Sequence, residues 1–399
     1  MAEALAGFRP ARRTPVEPVL LADALHRVPA GPVTAPDALP GFARSTVDGY
    51  AVRAADTYGV SEGLPGYLEV TGAVAMGAVL DTGPAVSVGA GTAVSMPTGG
   101  VLPAGADAVV MIEYTQQVMP GTIEVVRPVA PGEGVVRADE DAVPGDELVP
   151  AGRPLRAQDL AMLAAAGVTT VPVHTSPRVT VFSTGDEVVP PQTATLRPGQ
   201  VRDATAVALA AMVTQAGGEP VHGGIVPDDP QALEAALRAA LTASDLIVIS
   251  AGSSVGARDE TAGVVRRLGE IWCHGIAVKP GKPTLLAECV GVPVIGLPGN
   301  PRSALVVFRL LGVPLVRLVG GCTATPPEPS VRARLARDLP SAAGRLDVVQ
   351  VRVAGGVATP VFGPSALLSV LTAADGYVII PGEATGLDAG TEVDVTLYS

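Results

Sequence analysis

Lys279 and Lys282, in the run Lys279-Pro280-Gly281-Lys282-Pro283, are the only lysines in a chain of 399 residues whose lysines and arginines total 27. Arginine is a broad planar fork, whereas a lysine ammonium is a compact point charge suited to one phosphate or oxyanion oxygen. In a chain drifted toward arginine, the surviving lysines mark a site where the fork does not serve. Pro280 and Pro283 fix φ and lack an N–H, so the loop presenting the two ammonium groups is rigid. The competing reading is two idle surface charges, and loop rigidity weighs against it. The only asparagine, Asn300, lies close behind in Gly296-Leu297-Pro298-Gly299-Asn300-Pro301.

Carboxylates and glycines fall in other loops of the same region: Ser183-Thr184-Gly185-Asp186-Glu187, Asp228-Asp229, and the loop that runs from Gly252 through Ser254 and Gly256 to Asp259. Glycine-rich loops and helix N-termini bind phosphate through backbone N–H groups. Carboxylates beside them suit Mg2+, a hard cation that takes oxygen ligands and bridges to phosphates. Each piece also has a structural explanation. Asp229 before Pro230 is good helix-cap chemistry, Asp186 can tie its own turn, Gly252 and Gly256 can serve a tight turn, and Asn300-Pro301 can cap a helix. Taken jointly on one sheet edge, they favour a Mg-phosphate site.

The elements that would position these loops alternate between strand and helix. Strands are expected at 179–183, 221–226, 246–250 and 293–296, and helices at 204–216 (after Asp203), at 230–242 and from Asn300 to about 319. Such units imply a doubly wound parallel sheet, whose ligands bind beyond the carboxyl ends of the strands. Residues 45–141 instead carry short Val-rich runs between Gly and Pro turns, at 67–72, 92–96, 108–113 and 122–127, and read as an all-β module. Helical stretches are expected at 22–28 and at 157–166, the latter closed by Gly167. After about residue 326 short strands return, at 346–353, 377–380 and 392–398. The fold class is multidomain α/β plus β.

Composition narrows the partners. A formal charge of −12 argues against nucleic acid or an anionic membrane as a general partner, so an anionic ligand must be held by local donors. Residues 82–106 form the longest uncharged stretch but are broken by Gly and Pro, and the N-terminus has no apolar signal core; the expectation is a cytoplasmic protein. Cys273, Cys289 and Cys322 lack metal-type spacing and are expected reduced.

In order and spacing, the motifs resemble the molybdopterin molybdenumtransferase family, MoeA in bacteria and the gephyrin E domain in animals. The matching pieces are Ser45-Thr46-Val47-Asp48-Gly49-Tyr50-Ala51-Val52, Thr98-Gly99, Gly105-Ala106-Asp107-Ala108-Val109-Val110, Glu140-Asp141, Ser183–Glu187, Ser254-Val255-Gly256 with Asp259, and the Lys279 and Asn300 runs. The resemblance implies an elongated segmented domain (1–45 with 144–175), an inserted β domain (46–143), an α/β molybdopterin-binding domain (176–325) and a C-terminal β-barrel (326–399). It implies a homodimer that takes adenylylated molybdopterin and molybdate and, with Mg2+, releases AMP and molybdenum cofactor. Contacts with the molybdopterin adenylyltransferase and with apo-molybdoenzymes belong to the same picture.

Carried over residue by residue, the resemblance places Glu187, Asp228 and Asp259 on Mg2+. Asp48, Thr98, Asp141, Lys279, Lys282 and Ser365 fall on the reacting groups, and Asp48, Thr98 and Asp141 reach them across the dimer. Ser183, Gly185, Asp186, Gly252, Ser254, Gly256, Pro298, Gly299 and Asn300 fall on the pterin nucleotide. Val47, Asp139, Thr205, Ala251 and Ser253 depart from the family pattern without removing a carboxylate or lysine that the chemistry needs. A non-catalytic scaffold is the alternative, and retained Asp259, Lys279 and Lys282 speak against it. A related adenylyltransferase or amidase would lack the Asp48-Gly49-Tyr50 module and the barrel.

Overall fold

The computed structural model describes residues 13–75, 77, 86–250, 255–323 and 327–398, with side chains for all of these but 255–259. The chain divides into two compact units, Pro32–Pro150 with Ala157–Thr170, and Met1–Gly31 with Ala151–Arg156 and Val171–Ser399.

The first of these units is built on a six-stranded sheet in the order Ala108–Met111, Gly49–Val52, Thr92–Met96, Gly66–Ala73, Thr122–Val125, Thr115–Met119. Side chains alternate across it. Val52, Ala93 and Val110 pack into one core, whereas Ala51, Val94 and Val109 pack into another on the opposite face. Gly49 has no substitute in the central strand, because a Cβ there would lie 1.9 Å from the Val110 carbonyl oxygen. The expected strands end slightly early at Met111 and Val125, and the first gives way to a single turn of 3-10 helix at Ile112–Tyr114.

In the other unit, the elements that position the site run β1 (Arg178–Thr184), α1 (Ala204–Gln215), β2 (Glu219–Val226), α2 (Pro230–Leu241), β3 (Leu246–Ser250), α3 (Val255–Leu268), β4 (Glu270–His274), β5 (Val278–Lys279), β6 (Leu285–Cys289), β7 (Val292–Leu297) and α4 (Pro301–Val307). The helical run continues through a π turn at Phe308–Gly312 to Val319. Strand order is β2-β1-β3-β7-β6-β4. Val179, Val181, Leu246 and Val248 face α1 and the α4 run, while Phe182, Ile247 and Ile249 face α2 and α3, so the sheet is covered on both sides as expected.

Strand β6 departs from the parallel expectation. It is antiparallel to both neighbours because a two-residue turn, Val290-Gly291 with both φ positive (52° and 79°), folds it back onto β7 as a hairpin. Strand β4 therefore runs with β1, β2, β3 and β7, and the loops after all five lie at one edge.

The barrel follows, with β8 (Ser330–Leu335), β9 (Leu346–Ala354), β10 (Val357–Pro360), β11 (Gly376–Ile380) and β12 (Glu392–Leu397). Its order β9-β10-β8-β12-β11 closes through β11 pairing with β9. Strand β5 joins β9, not the α/β sheet, so the lysine loop springs from the barrel edge. The helix expected at 22–28 is absent. Only a 3-10 turn forms at Leu21–Asp23, because His26 takes a left-handed φ of 64° and donates its N–H to the Leu155 carbonyl, while Val28 accepts from His174. No helix among the described residues is long and apolar enough to cross a membrane.

Candidate active site

Residues 275–284 connect β4 to β6 and are tied at their base. Gly275 N–H donates to Thr284 O at 2.7 Å, Ile276 N–H to Lys282 O at 2.8 Å, and the buried Thr284 hydroxyl to Gly281 O at 2.7 Å. Gly281 sits at φ 130°, and a Cβ there would come within 2.2 Å of Val307 Cγ2, so the loop presses directly on α4. The β5–β9 register sets Lys279 opposite Asp347, and Lys279 Nζ donates to Asp347 Oδ2 at 3.3 Å. The other oxygen of this buried carboxylate takes Arg345 Nε at 3.0 Å. Lys282 is exposed and makes no ion pair among the described residues.

Lys279, Lys282 and Arg345 line a cavity of about 860 Å³ together with Pro298, Gly299, Asn300, Arg302 and Ser365. Asn300 occupies the N-cap position of α4, yet its side chain makes no capping bond. It reaches across to the barrel, where Nδ2 donates to Ser365 Oγ at 3.0 Å. Arg302 fastens the same barrel loop, its N–H donating to Ser365 O at 3.2 Å and Nη1 to Gly363 O at 2.6 Å. Burial lowers the Arg302 pKa from the ordinary guanidinium value, and nearby Tyr398 opposes the shift.

A second cavity, of about 340 Å³, shares Gly299 and Asn300 with the first and is lined by Ser183, Glu187 and Thr205. The Ser183 hydroxyl is buried and has no hydrogen-bond partner among the described residues. Gly185, at φ 137°, leaves room for the Glu187 carboxylate, whose Oε2 would lie 2.5 Å from a Cβ there. Asp186 does not tie its own turn; its Oδ1 accepts from Asp228 N–H at 3.2 Å and so joins the β1 and β2 loops. Asp229 caps α2, accepting from Gln231 and Ala232 N–H at 3.1 and 3.3 Å. Asp203 caps α1 through Ala206 N–H.

Of the expected metal set, Glu187 and Asp228 stand at one sheet edge, and the Asp259 side chain lies outside the described residues. No group of three metal-ligating side chains occurs among the described residues. Gly252 and Ser254 also lie outside them, and Gly256 falls in the first turn of α3.

In the other unit, Asp48 and Thr98 are brought together. Asp48 Oδ1 accepts from Thr98 N–H at 2.7 Å and from its hydroxyl at 3.0 Å. These bonds, the backbone one foremost, hold the Asp48 carboxyl below its ordinary range. Asp141 is exposed in a separate turn, its N–H bonded to Leu39 O. Arg302 and Arg345, which line the cavity, and Asp347, which holds Lys279 and Arg345, carry no local signal, since long-range pairing between helix, loop and barrel brings them together.

The chain matches three family descriptions in series: "MoeA N-terminal region (domain I and II)" over residues 1–167, "Probable molybdopterin binding domain" over 180–318, and "MoeA C-terminal region (domain IV)" over 332–398. It is 37% identical to a molybdopterin molybdenumtransferase of Nostoc, over 74% of this chain and 67% of that one. It is 32% identical to one of Bacillus subtilis, over 95% of this chain and 89% of the other. A crystal structure of the molybdopterin biosynthesis MoeA protein from Pyrococcus horikoshii OT3 superposes with a TM-score of 0.86 at 31% identity, covering 100% of this chain and 99% of that one. Fold and site together define a multidomain protein with a pterin-binding α/β domain and a closed β-barrel. The chain belongs to the MoeA family.

Proposed function

We propose that the protein is a molybdopterin molybdenumtransferase, which takes adenylylated molybdopterin and molybdate and releases AMP and molybdenum cofactor. The observation that carries this is the cavity walled by Lys279, Lys282, Arg302 and Arg345 from two domains, in a chain whose relatives bear that name over nearly its whole length. Two lysines and two arginines against one buried carboxylate leave an excess of positive charge, the requirement for holding a phosphate beside an oxyanion. Asn300 donates to the Ser365 hydroxyl, whose residue lines the same space, and Ser183 offers an uncommitted hydroxyl in the adjoining cavity.

Mg2+ fits the donor chemistry of Glu187 and Asp228 at the strand ends and of Asp259 in α3, all carboxylate oxygen. Glu187, Asp228 and Asp259 are the residues to hold it, and when bound it supplies electrophilic activation of the phosphoanhydride. The four-domain division, the homodimer and the cytoplasmic setting belong to the same proposal, with Asp48, Thr98 and Asp141 acting on a second copy.

Purified protein incubated with adenylylated molybdopterin, Mg2+ and molybdate is expected to release AMP, and to stop when either ion is withheld or chelated. Absence of AMP under all conditions would favour the scaffold. For the shared site, mixed Asp48→Ala and Asp259→Ala proteins are expected to regain activity as heterodimers.

A further inference from the structure

Two cations that line the lysine cavity share one carboxylate that lies outside its lining. Asp347 is 3% exposed, stands opposite Lys279 in the β5–β9 pairing, and gives one carboxylate oxygen to Lys279 Nζ and the other to Arg345 Nε. Both cations keep a free flank: the Lys279 side chain is 56% exposed and that of Arg345 40%. A carboxylate beside an anion site repels the anion. It also does something favourable, since a long flexible ammonium arm already held in one place need not be ordered by the ligand. These two effects oppose each other, and their balance is measurable.

We propose, resting on the molybdate reading above, that Asp347 is a positioning residue: it fixes the Lys279 ammonium and the Arg345 guanidinium at a set spacing before a tetrahedral oxyanion arrives. Ordering outweighs repulsion here because a buried carboxylate is itself stable only while paired, so its grip on both cations is tight. Repulsion alone predicts the opposite sign, namely that neutralising Asp347 tightens oxyanion binding.

The test uses the full-length protein, with molybdate alone as probe. Binding is measured by calorimetry, and lysine side chains are followed by NMR on lysine carrying 13C at Cε; two lysines give two signals, assigned with Lys282→Arg. Asp347→Asn is expected to weaken molybdate binding about tenfold and to move the Lys279 signal while leaving that of Lys282 in place. Asp347→Glu, which keeps the charge on a longer arm, is expected to fall between the two. Equal or tighter binding by Asp347→Asn, or an unmoved Lys279 signal, overturns the proposal. If Asp347→Asn does not fold, Asp347→Glu decides by the same two readouts. Wild-type lysine signals that ignore molybdate overturn the molybdate reading and this proposal together, an outcome distinct from failure in the variants alone.

Discussion

The lysine cavity and the acidic strand-end edge are built on different terms. Around the lysines almost every group is anchored. The loop is tied through Thr284, Gly281 is pressed on Val307, and Lys279 is held by a buried carboxylate. At the strand-end edge, Asp186 and Asp228 are exposed and share a single backbone hydrogen bond. Rigid charge placement is what catalysis by fixed dipoles and ions demands, whereas a loose set of carboxylates gains its geometry only when a cation gathers it. The lysine cavity should therefore tolerate little change of shape, and the acidic edge should respond to cation concentration.

The largest expected effect follows from replacing either lysine by arginine. Lys279→Arg and Lys282→Arg keep the charge but shift it by about an ångström, and misplacement of that order costs around a hundredfold in turnover. Added Mg2+ should not restore it, and melting temperatures should stay close to wild type, since Lys279→Arg keeps a cation for Asp347 and Lys282 is exposed. Wild-type turnover in both variants would make the lysines ordinary surface charges.

Next in size is Gly281→Ala. Its φ of 130° and the 2.2 Å approach to Val307 make a methyl group costly. Chemical denaturation is expected to show about 1–3 kcal/mol of lost stability from overpacking and backbone strain.

At the acidic edge, Asp186→Ala frees the Asp228 turn. Half-saturation by Mg2+ should rise about tenfold, as when an outer-shell carboxylate is removed, and excess Mg2+ should recover the rate. Failure to recover would erase the contrast between the lysine cavity and the acidic edge.

The smallest effect concerns Asp48. Its pKa is depressed by Thr98, so the bonds add stability that is present above the ordinary carboxylate range and lost as pH falls through the depressed value. Thr98→Val removes only the hydroxyl bond, and carboxyl 13C titration should show Asp48 moving partway back toward its ordinary value.

Much of this architecture was legible locally. Asp203 and Asp229 announce α1 and α2 because caps are short-range, and the mostly apolar runs announce β1 and β3 because the sheet is covered on both faces. The lysines and Asn300 declare themselves by rarity. What stayed hidden depends on distant partners. Nothing around residue 347 reveals that a barrel aspartate will meet Lys279, nor that Asn300 will forgo its cap for Ser365. The false helix at 22–28 fails for a similar reason, since its backbone finds partners at Leu155 and His174.

The most direct test of the lysine cavity as the oxyanion site is anomalous diffraction at the molybdenum edge from crystals of the protein soaked in molybdate. The expected result is a molybdenum peak within hydrogen-bonding reach of Lys279 and Lys282, beside Ser365, that disappears in Lys279→Arg crystals. A peak confined to another part of the molecule, with the lysine cavity empty, would contradict the assignment.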